Sequence, residues 1–378
     1  MRFNYRLLVL SALQLFLAHQ VLADNAVVEE QISMPVQVGN RTEMLDTLIV
    51  HPVGGVNLPI ALIVNGAESG PEAKSARADW LAHIAHDFAH RGWLAASVEW
   101  PGYGRSSPSF MENTGKCSSP TMGPFLNSHA DVLASALAAL RARTDVDPST
   151  ALGVGISIGG ASMLTLAGRS GRPLKAVINI SGGVFHANNA GDPESNCGLS
   201  QDDLLRNLTR SGAGNPTPTL WIYAKNDPYF PPEFAHRMLA AYLSKGGLAD
   251  FNMLAPFGSN GHTLFKSTAT PFFQPQIEAF LQRGNLPALD QSSFAPLLSR
   301  LQPIQRKTVE NYLRQSTEKA LASTPNSDDF YWHFGERSAE DARKKALSDC
   351  HRATGEQCHI VAENDHLIDS EATASVDK

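Results

Sequence analysis

The sequence predicts an α/β protein, with a doubly wound, mostly parallel sheet and a small C-terminal α+β appendage. From residue 58 to residue 283, short apolar runs of strand length alternate with segments of helical periodicity. After residue 285 a Pro- and Ser-bearing stretch follows, and then a strand–helix–strand pattern. Strands that alternate with helices form parallel sheets covered on both faces, so we expect a ligand site at the carboxyl edge of the strands.

The elements are expected in a regular order along the chain. A β-hairpin over 33–52, turning at Gly39-Asn40, comes first. Buried strands are then expected at 58–64, 94–98, 152–156, 176–180, 220–224 and 251–254. Helices are expected at 73–91, 128–143, 158–169, 231–244 and 274–283. Right-handed crossovers bring the carboxyl ends of such strands to one edge.

The chain divides into four predicted segments. They are a signal peptide at 1–23, the main α/β domain at 24–285, a linker and helix at 286–326, and a small Cys-paired module at 327–378. Within the linker, residues 303–322 are predicted to form one polar helix. In the module, Ser338 is expected to cap a helix that runs to about Arg352, and the tail from Asp365 is expected to fray.

The N-terminus has the pattern of a targeting segment. Arg2 and Arg6 precede an apolar run that is short for a membrane span. Val21-Leu22-Ala23 then provides residues suited to signal cleavage before Asp24. This pattern predicts a periplasmic or secreted protein with no stable membrane span after signal cleavage. The alternative is an uncleaved membrane anchor.

Export changes what the cysteines are expected to do. The four cysteines allow three pairings in an oxidising compartment. We favour Cys117 with Cys197 and Cys350 with Cys358; unrelated free thiols at Cys117 and Cys197 are the alternative. No C-x-x-C spacing is present, so zinc binding by the cysteines is not expected.

The composition excludes one class of partner. Hydrophobic residues make up 43% of the chain and charged residues 18%, which is typical of globular proteins. The net charge is −6 and there is no long basic run. Since phosphate binding needs clustered Lys and Arg, a nucleic-acid partner is not expected.

A G-x-S-x-G pattern carries the main functional prediction. Gly155, Ser157 and Gly159 lie between a predicted strand and a predicted helix. Such a turn exposes a serine hydroxyl at the top of a sheet, and the next amide, here Ile158, can stabilise an oxyanion. The alternative is a Gly-rich turn without chemistry.

Two polar residues follow later strands in the order that a serine triad requires. Asp227 directly follows the predicted strand segment that begins at Trp221 and ends at Asn226. His262 lies at the end of a loop after the last strand of the predicted sheet. We expect His262 to act as base, then acid, and Asp227 to orient it. The alternatives for Asp227 are a helix-capping role, or replacement as the acid by Asp202, Asp203 or Glu99.

The histidines at 83, 86 and 90 have a spacing that could bind a metal. A helical wheel places them opposite the apolar face of their helix, toward solvent. We therefore expect no metal site here.

With these motifs in place, the chain resembles the α/β-hydrolase superfamily, and within it the dienelactone-hydrolase-like and serine-esterase relatives. The resemblance covers residues 35–285 and includes Asn65-Gly66-Ala67, Gly102-Tyr103-Gly104-Arg105-Ser106, the turn at Ser157, Asp227 and His262. It implies a second oxyanion donor at the Ala67 amide. Two residues differ from the relatives. Asn65 stands where many of them have histidine, and Ser157 stands where dienelactone hydrolases have a cysteine nucleophile.

The expected function is hydrolysis of a small carboxylic ester through an acyl-serine intermediate, without a metal or organic cofactor. Two alternatives remain. One is a peptidase of the same fold. The other is a catalytically silent scaffold that binds an envelope partner through residues 300–378.

Overall fold

The computed structural model describes residues 26–67, 70–108, 113–186, 197–325 and 327–368. The predicted signal peptide therefore lies outside the described residues. In the part that is described, no helix combines the length and apolar character needed to cross a bilayer.

The strands of the described residues are numbered in chain order. They are β1 (Val27–Val38), β2 (Arg41–Pro52), β3 (Leu58–Val64), β4 (Leu94–Val98), β5 (Gly115–Lys116), β6 (Ser119–Pro120), β7 (Val146–Ile156), β8 (Ala176–Ile180), β9 (Pro218–Ala224), β10 (Leu248–Leu254), β11 (Ala320–Ser323), β12 (Tyr331–His333), β13 (His359–Glu363) and β14 (His366–Leu367).

The α-helices are numbered in the same way. They are α1 (Gly70–Ser75), α2 (Ala82–Ala89), α3 (Met122–Arg141), α4 (Ile158–Ala167), α5 (Gly198–Gly212), α6 (Pro232–Leu243), α7 (Thr270–Arg283), α8 (Ala295–Arg300), α9 (Pro303–Leu313) and α10 (Ala339–Thr354).

Eight strands form the main sheet, in the order β1-β2-β4-β3-β7-β8-β9-β10. The hairpin strands β1 and β2 and the pair β2–β4 are antiparallel. Every pair from β4 onward is parallel. The predicted doubly wound, mostly parallel sheet is confirmed, and so is the predicted hairpin with its turn at Gly39-Asn40.

Helices cover both faces of this sheet because its central strands are apolar on both sides. In β3, Ile60, Leu62 and Val64 face the core beneath α3, α4 and α6. Ala61 and Ile63 face the second core, beneath α2 and α7. This period of two, with both faces buried, is why the central strands read as continuous apolar runs.

The single helix expected over 73–91 is instead broken into α1, a short 3-10 turn (Ala78–Leu81) and α2. Tertiary hydrogen bonds replace helical ones at the break. The Ala78 amide donates to Asp46 Oδ2 at 3.2 Å, and Ser97 Oγ donates to the Ala78 carbonyl at 2.8 Å. A Cβ on Gly104 would lie 1.8 Å from the Ala76 carbonyl oxygen, so the neighbouring loop presses directly on the break.

The C-terminal module is a four-stranded antiparallel sheet, in the order β12-β11-β13-β14, with α10 packed on it. Ser338 caps α10 as predicted, since its Oγ accepts from the Asp341 amide at 3.2 Å. The predicted helix over 303–322 is wrong in its second half. α9 ends at Leu313 and the chain continues into β11.

The expectation of a frayed tail from Asp365 is also wrong for its first residues. Asp365 is buried, and its carboxylate lies 3.1 Å from the buried Lys319 Nζ. Lys319 also donates to the carbonyls of Leu313 and Gln315. Burial is tolerated because every proton of this ammonium has an acceptor. Residues 369–378 lie outside the described part.

Both favoured disulfides are present. Cys117 bonds to Cys197 across 80 residues, and Cys350 to Cys358 across 8 residues. The first joins the β5–β6 ribbon to the start of α5, and the second joins the end of α10 to β13.

The prediction that the α2 histidines face solvent is wrong. His86 is buried and the His90 side chain is only 7% exposed, because the segment at Glu318 covers them. His83 Nε2 contacts the Phe265 carbonyl at 2.7 Å. The helical wheel placed these residues correctly relative to the sheet, but it could not know that a distant segment packs on the opposite face.

Candidate active site

The serine turn has the backbone geometry that the G-x-S-x-G pattern predicts. Ser157 adopts φ 53° and ψ −121°, a conformation that non-glycine residues rarely adopt. Its amide donates to the Ile180 carbonyl at 3.0 Å, and its carbonyl accepts from the Gly183 amide at 3.0 Å. These two bonds to the neighbouring strand hold the strained residue between β7 and α4.

The glycines around Ser157 are required by close backbone contacts. A Cβ on Gly155 would lie 2.4 Å from the Gly159 carbonyl carbon, and one on Gly159 would lie 2.6 Å from the Asn65 carbonyl oxygen. A Cβ on Gly66 would lie 2.9 Å from Ser157 Cβ and 3.4 Å from its Oγ. The loop that follows β3 therefore packs directly against the serine.

Asp227 and His262 are in contact. His262 Nδ1 lies 2.9 Å from Asp227 Oδ2. The other oxygen of Asp227 accepts from the amides of Tyr229, at 2.9 Å, and Phe230, at 3.1 Å. Asp227 is 2% exposed, and a buried carboxylate held in this way fixes the imidazole with Nδ1 as the donor and Nε2 as the free base.

Strand register places the serine at the same edge as this pair. Ile156 is level with Ile180, and Ile180 with Ile222. A Cβ on Gly183, whose amide bonds to Ser157, would lie 2.5 Å from Phe230 Cε1, and the Phe230 ring lies 5.6 Å from the imidazole. Gly183 and the Phe230 ring thus link Ser157 to His262 through direct contacts.

No hydrogen bond joins Ser157 Oγ to His262 among the residues that the structure describes. In unliganded enzymes such bonds are often long and tighten when substrate binds. Of the three predicted triad residues, the structure pairs Asp227 with His262 and brings Ser157 to the same edge.

The two predicted oxyanion donors flank the serine. Ile158 is the first residue of α4, and Ala67 follows the Gly66 that packs on Ser157. Within the described ranges neither amide donates to a protein acceptor. Asn65 is buried, and its carbonyl accepts from Trp100 Nε1 at 3.1 Å. This bond fixes the loop that carries Ala67.

Aromatic side chains beside His262 were missed by the sequence analysis. Tyr229 meets the imidazole edge to face at 4.8 Å, and Phe185 lies 5.0 Å from Tyr229. The signal was present, because Tyr229 and Phe230 follow Asp227 directly in the chain. Phe185 lies after β8, just before the undescribed residues 187–196.

A second missed feature is a buried polar group beneath the serine turn. Asn179 Nδ2 donates to Tyr223 Oη at 3.3 Å, and Tyr223 donates to the Gly182 carbonyl. Burial raises the pKa of Tyr223, which keeps the phenol protonated as a donor. A Cβ on Gly160 would lie 2.1 Å from Asn179 Oδ1, so this side chain fills the space that the glycines leave.

The rival acids have structural partners. Asp203 Oδ2 accepts from the Met122 amide at the start of α3, and Asp202 lies 3.6 Å from Arg237. Glu99 Oε1 accepts from the Trp100 amide. Within the described residues, neither Asp202 nor Asp203 is in hydrogen-bond contact with His262.

The strand order, the serine turn and the loops at the carboxyl edge together give the α/β-hydrolase fold. The C-terminal sheet is an addition to it.

No protein-family model matches the chain, and no curated protein matches it by sequence. Several solved structures do resemble it. A truncated carbohydrate esterase from gut microbiota is 16% identical, covers 69% of this chain and 98% of its own, and has a TM-score of 0.48. The esterase Est1E of Butyrivibrio proteoclasticus, solved with ferulic acid, is 14% identical, with 65% and 99% covered and a TM-score of 0.45.

A third match is a dienelactone hydrolase-like promiscuous phosphotriesterase from metagenomic libraries. It is 17% identical, with 61% of this chain and 82% of its own covered, and its TM-score is 0.41. These similarities are weak, and the fold assignment follows from the sheet topology and the serine turn instead.

Proposed function

We propose that this chain is an exported serine hydrolase that cleaves small carboxylic esters through an acyl-serine intermediate. Ser157 is the nucleophile, His262 the base and then the acid, and Asp227 the residue that orients His262. The amides of Ala67 and Ile158 hold the oxyanion.

One observation carries this proposal. The Asp227–His262 hydrogen bond of 2.9 Å lies at the sheet edge where Ser157 is held in a strained turn. A buried carboxylate fixed by two backbone amides can hold a histidine in one tautomer, and the second oxygen of Asp227 bonds to His262. Strained backbone at the same edge fits a nucleophile.

The reaction follows from these positions. His262 Nε2 takes the proton of Ser157 Oγ as the oxygen attacks the ester carbonyl. The carbonyl oxygen becomes an oxyanion, which the two amides stabilise because they are fixed donors and need no reorganisation. His262 then gives its proton to the departing alcohol. Water repeats the sequence on the acyl-serine and releases the acid.

A fluorophosphonate probe tests the nucleophile. We expect the wild type to be labelled at Ser157, and the Ser157→Ala variant to lose both labelling and esterase activity. Ser181→Ala is the matched control, because Ser181 follows the neighbouring strand, is buried and also has a positive φ of 46°. Unlabelled but folded wild type would favour the silent scaffold.

The acyl preference is a second part of the proposal. We take residues 192–215 as the segment that caps the site. Few of these residues are large and apolar, so we expect higher rates on p-nitrophenyl acetate and butyrate than on long-chain esters. Faster cleavage of long-chain esters would contradict this. Faster cleavage of peptides than of any ester would favour the peptidase alternative.

Export to the periplasm or the medium is also proposed. Two disulfides support it, since such bonds persist in oxidising compartments. N-terminal sequencing of the exported protein should begin at Asp24.

A further inference from the structure

His86 of α2, His90 directly after that helix and one distant glutamate form a compact cluster outside the candidate active site. His86 and His90 lie one helical turn apart, and Glu318 comes from the loop between α9 and β11. Glu318 Oε1 lies 2.9 Å from His86 Nδ1 and 2.8 Å from His90 Nε2. The three ligand atoms all lie within 4.8 Å of one another.

The outer contacts of this cluster match those of a ligating histidine. His86 Nε2 lies 2.5 Å from Glu29 Oε1 of β1. Metal-binding histidines typically donate their second ring nitrogen to a carboxylate, which fixes the tautomer and raises the basicity of the ligating nitrogen. Here Nε2 donates to Glu29, so Nδ1, which faces Glu318, is the nitrogen that would give up its proton and bind the ion.

The loop that carries Glu318 is fixed to the same helix. Asp87 accepts from the Thr317 amide at 2.7 Å, from Thr317 Oγ1 at 2.8 Å and from Ser316 Oγ at 3.1 Å. Glu318 itself has φ 54°, in the left-handed region that favours glycine. The fold therefore holds this carboxylate in place, against its backbone preference, between two histidines.

The carboxylate already faces two positive or proton-bearing groups, because His86 Nδ1 and His90 Nε2 both lie within hydrogen-bond distance of Glu318 Oε1. A bound cation would take the place of the two protons between these atoms. The Glu29 side chain is 51% exposed, so an ion can enter from that side. His83 is not part of the site, because its Nε2 contacts the Phe265 carbonyl.

We propose that His86, His90 and Glu318 bind one Zn²⁺ ion that fastens the C-terminal segment to α2. Two imidazoles and one carboxylate are a donor set that zinc accepts, with a water in the fourth position. Tetrahedral ligands at zinc distances lie about 3.4 Å apart, so Glu318 Oε1 would move away from each histidine nitrogen by about half an ångström. α2 precedes β4, so its C-terminal end lies at the amino edge of the sheet, opposite the candidate active site.

A second cluster of histidine and carboxylate side chains in the described residues already contains a positively charged side chain. Glu30, His51 and Asp145 also lie close together. Arg143 occupies the centre, with Nη2 2.9 Å from Glu30 Oε1 and 2.7 Å from Asp145 Oδ2. A guanidinium already supplies the positive charge there, so His51 is a matched control.

The test uses the untagged mature chain, stripped with a chelator and titrated with Zn²⁺ by calorimetry, with metal content measured by mass spectrometry. We expect one zinc per wild-type chain and a higher Tm with zinc. His90→Gln and Glu318→Gln should each weaken binding by at least about 100-fold, and Glu29→Gln by about 10–100-fold. His51→Gln should bind as the wild type does.

Two outcomes would overturn the proposal. One is a wild type that takes up no stoichiometric zinc. The other is zinc that remains bound to a His86→Gln/His90→Gln double variant, since that ion must lie elsewhere. If a variant fails to fold, Co²⁺ absorption of the wild type decides, because ligand-field bands of a tetrahedral ion are required by the proposal.

Discussion

At the scale of single residues, close backbone contacts decide what the candidate active site tolerates. Gly66, Gly155 and Gly159 leave no room for a Cβ, because backbone or Ser157 atoms lie within 3.0 Å of each ideal position. Asp227 is fixed by two backbone amides and bonds to His262 through its other oxygen. The positions of these atoms lead to two predictions.

The first concerns the orienting acid. Asp227→Asn keeps the acceptor for the Tyr229 and Phe230 amides but presents an NH₂ group to His262 Nδ1. The wrong tautomer is then favoured, and we expect kcat for a short-chain ester to fall by about 10⁴-fold. Circular dichroism should show an unchanged fold. Asp202→Asn, which alters only a surface contact with Arg237, should keep full activity.

The second concerns the packing of the serine turn on the loop after β3. A Cβ at Gly159 would meet the carbonyl oxygens of Asn65 at 2.6 Å and Val64 at 2.7 Å. Gly159→Ala should therefore cost about 1–3 kcal/mol of unfolding free energy and lower activity. Gly198→Ala is the control, because nothing lies within 4 Å of its Cβ position. Equal stability of the two variants in urea would contradict this reading.

At the scale of elements, distant segments decide where helices break and what covers them. The 73–91 region breaks because Asp46 and the loop at Gly104 bond to it. α2 is buried on its polar face because the segment at Ser316–Glu318 lies over it. α5 is tied to the β5–β6 ribbon by a disulfide.

The two disulfides should differ in their effect on stability. A bridge restricts the unfolded chain more when it closes a longer loop. The bridges close loops of 80 and 8 residues. For these lengths the chain-entropy relation gives a stabilisation of about 4.5 kcal/mol for Cys117–Cys197 and about 2.5 kcal/mol for Cys350–Cys358. We expect Cys117→Ser/Cys197→Ser to lower the urea midpoint more than Cys350→Ser/Cys358→Ser. A larger loss from the C-terminal pair would show that native packing, not loop length, dominates.

At the scale of the whole molecule, the described residues form two cores on either side of the main sheet and two smaller cores on either side of β11, one with α8 and α9 and one with α10. Buried ionisable groups in these cores connect folding to pH. His129 is a clear case, since it packs between Trp100 at 4.7 Å and Phe125 at 4.2 Å and its Nδ1 donates to the Phe125 carbonyl.

Burial lowers the pKa of His129 from 6.5 to about 4, although the hydrogen bond to Phe125 opposes the shift. The unfolded chain therefore takes up the proton first as the pH falls. The stability from the neutral ring is complete above pH 6.5 and is lost between pH 6.5 and about 4, by up to about 3 kcal/mol.

The His129→Phe variant checks this dependence, because it keeps an aromatic ring but cannot titrate. Urea unfolding from pH 7 to pH 4.5 should show a smaller loss of unfolding free energy for the variant than for the wild type. Parallel curves would mean that other groups carry the pH dependence.

The sequence by itself determined the sheet, the order of its strands along the chain and the residues at their carboxyl ends, because these follow from local apolar period and turn chemistry. Ser157, Asp227 and His262 could be chosen in this way, as could the disulfide pairs. The broken helix at 76–78, the aromatic residues beside His262, Asn179 beneath the turn and the partners of Lys319 could not.

Those features depend on residues far apart in the sequence. Glu318 reaches His86 across 232 positions, and no periodicity within α2 can report what packs on it. Local pattern decides which face of a segment is apolar. Only the packed chain decides which polar groups are then brought together on the other face, because burial and hydrogen bonding there are set by the whole fold.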